Sequence, residues 1–247
     1  MPRSSIPFAV VALGALLGGC SASGGDEAML VLENVFASAN CTTTPAQSEP
    51  GISHGTLDTS LLTGYLFIAQ VKSRITALDG EQDQRTIVIT GANVDITFPS
   101  STVFSAAELA DLKSKGLTHF FAPFSAPVTP NGGITDVGFE LIPQQLTEAV
   151  AQKELSSGTA IRLESIEKFT MLGTMSGESV TSQEFTYSVT IGGGTTVRIV
   201  GTCPLPQGSA TPSSGYSCNP GQDGAADCCS NGPGELPTCP AVISTTM

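Results

Sequence analysis

The chain has no tryptophan, three tyrosines and two histidines. Sugar-binding surfaces lean on flat aromatic platforms, and a sequence this poor in tyrosine and tryptophan offers few of them. With only His54 and His119, a histidine-based acid–base centre has few ways to form. Basic residues are also scarce: ten Lys and Arg stand against 22 Asp and Glu, a net charge of −12. A surface of that sign repels nucleic acid and anionic headgroups, which argues against a polyanionic partner. No Gly-x-Ser-x-Gly elbow occurs, because Ser176 in Gly173-Thr-Met-Ser-Gly177 is offset by one position. Gly192-Gly193-Gly194 lacks the Gly-Lys-Ser ending of a phosphate loop and precedes a β-prone run, not a helix. The cysteines include no Cys-x2-Cys pair of the kind that zinc sites favour.

What is present begins with an N-terminal leader. Arg3 is the only basic residue before Lys72, and Ile6 to Leu17 is an apolar stretch. That stretch is shorter than the ~20 apolar residues a permanent membrane-spanning helix needs. It ends in Leu17-Gly18-Gly19-Cys20, an aliphatic residue, two small residues and a cysteine. The tetrad resembles the signal of bacterial lipoproteins. The resemblance implies cleavage before Cys20, a diacylglyceryl thioether on its sulfur, and acylation of the new N-terminus by a palmitate-type chain. Ser21, where an aspartate would signal retention at the inner membrane, implies the outer membrane. Ser21 to Gly25 read as a flexible tether.

The body reads as mainly β. Ala28–Phe36, Gly64–Ile75, Thr86–Phe98, Ile134–Leu141, Thr159–Leu172, Ser179–Ile191 and Thr195–Cys203 are apolar or alternating runs bounded by turn residues. The alternation in Thr86–Phe98 changes phase at Gly91, which predicts a bulge. Gly192 to Gly194 predict a hairpin between the last two runs. Ser105 and Glu108 have capping-box spacing, and Gly116 supplies a stop, so the spacing predicts a helix between them. Pro143 opens a second helical pattern through Leu155. Ser38–Leu61 reads as a loop. The phenylalanines, including Phe120, Phe121 and Phe124, are expected in the core. Together these features predict an antiparallel immunoglobulin-like β-sandwich with one or two short helices.

Apart from Cys20 there are six cysteines: Cys41, Cys203, Cys218, Cys228, Cys229 and Cys239. An even set in an exported chain predicts three disulfides. We expect Cys41 to pair with Cys203, and the adjacent Cys228 and Cys229 to bond different partners. Residues 204–247 are rich in Pro, Gly and Ser and depend on these cross-links for any fold. The run Pro220-Gly-Gln-Asp-Gly224 between cysteines resembles the tails of lipoproteins of myxobacterial type, a resemblance that implies no activity. Asp79, Glu81 and Asp83 place carboxylates at alternate positions and are weak calcium candidates, as are Asp223 and Asp227 in the tail. They lack the glycine and terminal glutamate of a helical calcium loop.

The expected organisation is a signal peptide at 1–19, a lipidated cysteine and tether at 20–27, a sandwich at 28–203 and a cysteine-rich tail at 204–247. The function expected is non-enzymatic: a lipid-anchored envelope protein, with no cofactor, membrane-bound through Cys20, with structural, adhesive or partner-binding work. The alternative is an envelope hydrolase using one of the histidines.

Overall fold

The computed structural model describes residues 28–37, 41, 51–76, 85–99, 103–216 and 218–244. Cys20 and the calcium candidates Asp79, Glu81 and Asp83 lie outside the described residues.

Among the described residues, eleven strands and two α-helices follow in the order β1 (Met29–Asn34), β2 (Gly55–Leu57), β3 (Tyr65–Ser73), β4 (Ile87–Thr97), α1 (Ala106–Ser114), β5 (His119–Val128), β6 (Ile134–Ile142), α2 (Gln144–Ser157), β7 (Leu163–Met175), β8 (Glu178–Thr181), β9 (Phe185–Ile191), β10 (Val197–Thr202) and β11 (Ala226–Ser230). One sheet has the order β1-β3-β6, and the larger one β2-β9-β7-β4-β5 with β8 added to β7. The chain crosses between these sheets from β1 to β2, β2 to β3, β3 to β4, β5 to β6 and β6 to β7. That is the Greek-key wiring of an immunoglobulin-like sandwich.

Alternation builds the sheets. β3 buries Tyr65, Phe67, Ala69, Val71 and Ser73 on one face, and β7 buries Leu163, Ser165, Glu167, Phe169 and Met171. Phe67 is the hub between the sheets. Its ring lies 5.2 Å from that of Phe169, 5.9 Å from Phe185 and 5.0 Å from Tyr187 across the gap, and 5.7 Å from Phe139 within its own sheet. Antibody domains place a disulfide and a tryptophan at this level. Here a cluster of edge-to-face and tilted rings fills the space instead, and truncating such a side chain costs about 3–5 kcal/mol.

The bulge at Gly91 forms as expected. Register shifts between Ile89 and Gly91 against both neighbours of β4, and Gly91 has φ of 153°. The capping box of α1 is complete, with Ser105 and Glu108 bonded reciprocally. α2 follows Pro143, which stands at its N-cap, and ends at Gly158 in the left-handed conformation.

Three expectations are corrected. Ser38–Leu61 is not loop throughout, because Gly55–Leu57 forms β2 and Thr59–Leu61 a 3-10 turn. Gly192–Gly194 do not close a hairpin, since β10 leaves the sheet and pairs in parallel with β11. The cause lies at the edge of β9, which β2 already occupies in parallel register from Gly55–Val189 to Leu57–Ile191. The buried carboxylate of Asp58 then draws the chain aside by accepting from the N–H groups of Thr196, 3.0 Å, and Val197, 2.8 Å.

The third correction concerns disulfides. Cys41 pairs with Cys218, Cys203 with Cys229 and Cys228 with Cys239, with Cα separations of 5.2, 5.0 and 4.5 Å. Adjacent Cys228 and Cys229 do take different partners. Cys41 does not reach Cys203, because the chain leaving β1 runs to Tyr216. That phenol accepts from the Ala37 N–H at 2.9 Å and packs its ring 5.5 Å from Phe36, next to Cys218. Cys203 is instead brought beside Cys229 by the β10–β11 pair, through its own N–H to Ser230 O.

The residues after 203 dock onto the sandwich. Gln222, buried, spans the free edge of β3 with its side-chain amide. Its Nε2 donates to Leu66 O at 2.7 Å and its Oε1 accepts from Leu66 N at 2.8 Å, so the amide takes the place of a neighbouring strand beyond the end of β1. Asn219 continues the row by donating to Gly64 O at 2.6 Å. Asp223 accepts from Tyr65 Oη at 2.7 Å and from Thr56 N at 2.7 Å. Asn34 donates to both Tyr65 and Tyr187 at 3.1 Å, and the two phenols meet at 3.0 Å. Asp223→Ala leaves buried donors without acceptors and is expected to cost about 2–4 kcal/mol. Urea unfolding monitored by circular dichroism measures it; a midpoint equal to wild type would show that the junction does not hold the fold.

Candidate functional site

A groove of about 940 Å³ is bounded by α1, α2 and the end of β6, with β5 along its floor. β5 ends the larger sheet, so one of its edges is unpaired. The Ile96 N–H bonds Thr118 O at 2.8 Å, which sets the parity of the ladder: Phe120 and Ala122 exchange hydrogen bonds with β4. The backbone N–H and C=O of His119 and Phe121 therefore point to the free edge. Pro123 and Pro127 remove N–H donors farther along, which shortens the edge that another strand can use.

Phe121, expected in the core, is 47% exposed. Gly91 explains its position. A Cβ there would lie 2.4 Å from the Phe121 ring and 2.5 Å from Ala122 O, so the ring rests over a glycine and nothing larger fits beneath it. Phe120 and Phe139 add apolar floor, and Glu140 and Glu148 stand on the far wall. Glu140 accepts from the Gln144 N–H at 3.0 Å, and Glu148 from the Gln144 amide at 2.8 Å. Lys115, the only cation lining the groove among the described residues, is held by Asp111 at 2.6 Å. The helices are braced against each other by the Lys153–Glu108 ion pair, with Lys153 also 5.9 Å above the Phe104 ring. Donation from Lys153, with the Ser105 N–H and hydroxyl, pulls the Glu108 carboxyl down to about 2.

The histidines lie elsewhere. His54 contacts Ser188 Oγ through Nδ1 at 2.9 Å and Thr190 Oγ1 through Nε2 at 2.8 Å. Thr190 donates onward to Glu164 at 2.7 Å, and Glu164 is 4.0 Å from the ring. A serine, a histidine and a carboxylate thus come together, but on the outer face of a sheet. The cluster ties the His54 segment to β9. His119 is paired with its cross-strand neighbour Asp95 at 2.6 Å. Ser176 occupies the turn between β7 and β8 with φ of 52°. Asp227 binds Arg198 and the Ser213 N–H, which lower its pKa, and Asp223 is consumed by the tail junction. Among the described residues no three His, Cys, Asp or Glu side chains gather as metal ligands.

No protein-family model and no curated protein sequence matches this chain. Among solved structures, one described as a protein from Archaeoglobus fulgidus is similar over 52% of this chain and 84% of its own, at 11% identity and a TM-score of 0.31.

Sequence reasoning missed the groove. The two helices were visible, but nothing in the pattern placed them side by side over the end of β5. The one usable signal was Gly91 paired in register near two adjacent phenylalanines, which marks a ring displaced outward.

A second buried feature was also missed. Glu167 faces the interior from the middle of β7, with Ile96 and Tyr187 as cross-strand neighbours, and is 0% exposed. Neither carboxyl oxygen has a hydrogen-bond partner, and the nearby Ser165 hydroxyl donates instead to Val189 O. Burial, with a smaller push from Glu164, raises its pKa from 4.5 to about 8. The folded protein therefore holds this proton more tightly than the unfolded chain does. The stability it contributes is complete below pH 4.5 and is lost as pH rises toward 8. By pH 7 the loss is about 3 kcal/mol. Glu167→Gln is expected to raise the melting temperature at pH 7.5 and to leave it unchanged at pH 4. Parallel pH–stability curves for the two proteins would contradict the burial of a neutral acid here.

Proposed function

We propose that this protein is a lipid-anchored component of a bacterial outer membrane that presents its sandwich for binding another protein, without catalysing a reaction. The observation that carries the anchor is Leu17-Gly18-Gly19-Cys20 at the end of an apolar leader. Three disulfides accord with an oxidising envelope compartment. A thioether-linked diacylglycerol with a third acyl chain holds a protein firmly, at about 0.8 kcal/mol per buried methylene.

The geometry supports a display role. From Cys20 to Ala28 the chain reaches at most about 28 Å. Met29 pairs with Ser73 at one end of β3, while Tyr65 at the other end pairs with Ile142, where the chain turns into α2. With β3 nine residues long, the two ends are roughly 30 Å apart. The groove thus lies at the pole opposite Ala28, which supports display of the groove away from the anchored end. Apolar floor, acidic rim and unpaired strand edge suit recognition of a polypeptide more than chemistry on one.

Cys20→Ala is expected to move the protein from the membrane fraction to the soluble fraction after cell fractionation, with the folded body intact. Retention of the variant in membranes to the wild-type level would refute the anchor.

A further inference from the structure

We infer that the free edge of β5 is a strand-addition site for an extended apolar segment of a partner protein that carries lysine or arginine at alternate positions. This deepens the partner-binding part of the proposed function and rests on it, though not on the lipid.

Three observations converge on the same short stretch. The first is the backbone. His119 and Phe121 turn both their N–H and C=O groups to the open edge, and Pro123 adds a carbonyl there. An added strand satisfies such groups and gains affinity from them. Pro123 and Pro127 deny donors to a longer strand, so the landing site is confined to the part of the edge that lines the groove.

The second is apolar surface held in place. Phe121 is exposed and pinned over Gly91, with Phe120 and Phe139 on the groove side of the same edge. A strand laid here projects one set of alternate side chains beside Phe121 and the other set toward Phe120 and Phe139. Rings that are already fixed lose little freedom when covered.

The third is charge, which selects the occupant. Glu140 and Glu148 face the edge across the groove, and neither forms an ion pair among the described residues. Lys115 is already engaged by Asp111. A basic side chain from the added strand finds two carboxylates and an aromatic face, whereas an acidic one meets repulsion. The chain's net charge of −12 steers basic segments toward it and other copies of itself away.

The test uses the full-length chain in detergent and three fluorescein-labelled, end-blocked octapeptides: alternating Val-Lys, alternating Val-Glu, and a Val-Lys peptide N-methylated on its valines. Fluorescence polarisation is expected to show saturable, micromolar binding of the first, with the other two at least tenfold weaker. Glu148→Lys is expected to weaken the first peptide about tenfold and Phe121→Ser to weaken it similarly, with melting temperatures held. Hydrogen–deuterium exchange supplies a readout that needs no variant: the first peptide slows exchange in residues 119–123 and leaves the His54 face unchanged. Absence of saturable binding, equal binding of all three peptides, or protection spread over the whole acidic surface overturns the inference. So does protection of 119–123 without peptide in a protein that sediments as a dimer, which would make the occupant a second copy. Cys20→Ala leaves the peptide affinity unchanged, so failure of the anchor and failure of the groove are read separately.

Discussion

The structure depends on a buried polar junction between the C-terminal segment and the edge of β3. Without it, Leu66 would present an unpaired N–H and C=O next to a sandwich core, and Gly64 an unpaired carbonyl. Unsatisfied backbone groups in such a place cost as much as hydrogen bonds contribute. The side chains of Gln222 and Asn219 meet these groups directly. Asp223 then fixes Tyr65, which with Asn34 fixes Tyr187, so a single loop organises residues from both sheets. Burial raises the pKa of Asp223 while its hydrogen bonds pull it down, and the same burial drives the Tyr65 phenol upward. The raised pKa keeps the Tyr65 phenol protonated, so that it donates to Asp223. The Cys41–Cys218 disulfide reinforces this arrangement by closing the chain just before Asn219.

From that junction follows the departure from a plain sandwich. β2 can sit on the edge of β9 because Thr56 is bonded at both backbone groups to Asp223. With β2 in place, β9 has no edge left for β10. The latter is pulled outward by Asp58 and finds a parallel partner in β11, within the disulfide-linked segment. A segment too poor in apolar residues to fold alone is thus ordered by borrowing strand partners and by sulfur. Its glycines and prolines, which look like disorder by composition, serve turns between those contacts.

This explains which parts of the fold were legible in the sequence. Local rules acted where the chain was its own context: the capping box at Ser105, the stop at Gly116, the bulge at Gly91 and the alternation of β4 and β7 are all decided by neighbours in sequence. The misread regions are those decided from far away. Gly192–Gly194 have hairpin chemistry, and only the distant residues 55–58 prevent the hairpin. Cys41 has five possible partners by arithmetic, and the choice of Cys218 is made by Tyr216 reaching Ala37. Glu167 reads as an outward charge in an alternating strand until its phase, shared with Phe169 and Met171, is fixed by the sheet. The groove was illegible for the same reason. Helix spacing on the chain carries no information about which strand edge the two helices flank.

The groove and the prolines of β5 belong to one physical argument. An unpaired strand edge invites association, and exported β proteins commonly blunt it. Here blunting is partial: Pro123 and Pro127 remove N–H donors from the later part of β5, while the backbone groups of His119 and Phe121 stay unpaired along the groove. A donor-bearing stretch this short suits the single extended chain inferred above better than a long edge-to-edge ladder. The uncompensated Glu140 and Glu148 restrict that chain further, by sign. For the strand addition inferred above, selectivity would come less from shape than from what is denied: N–H donors beyond Phe121 and tolerance for negative charge.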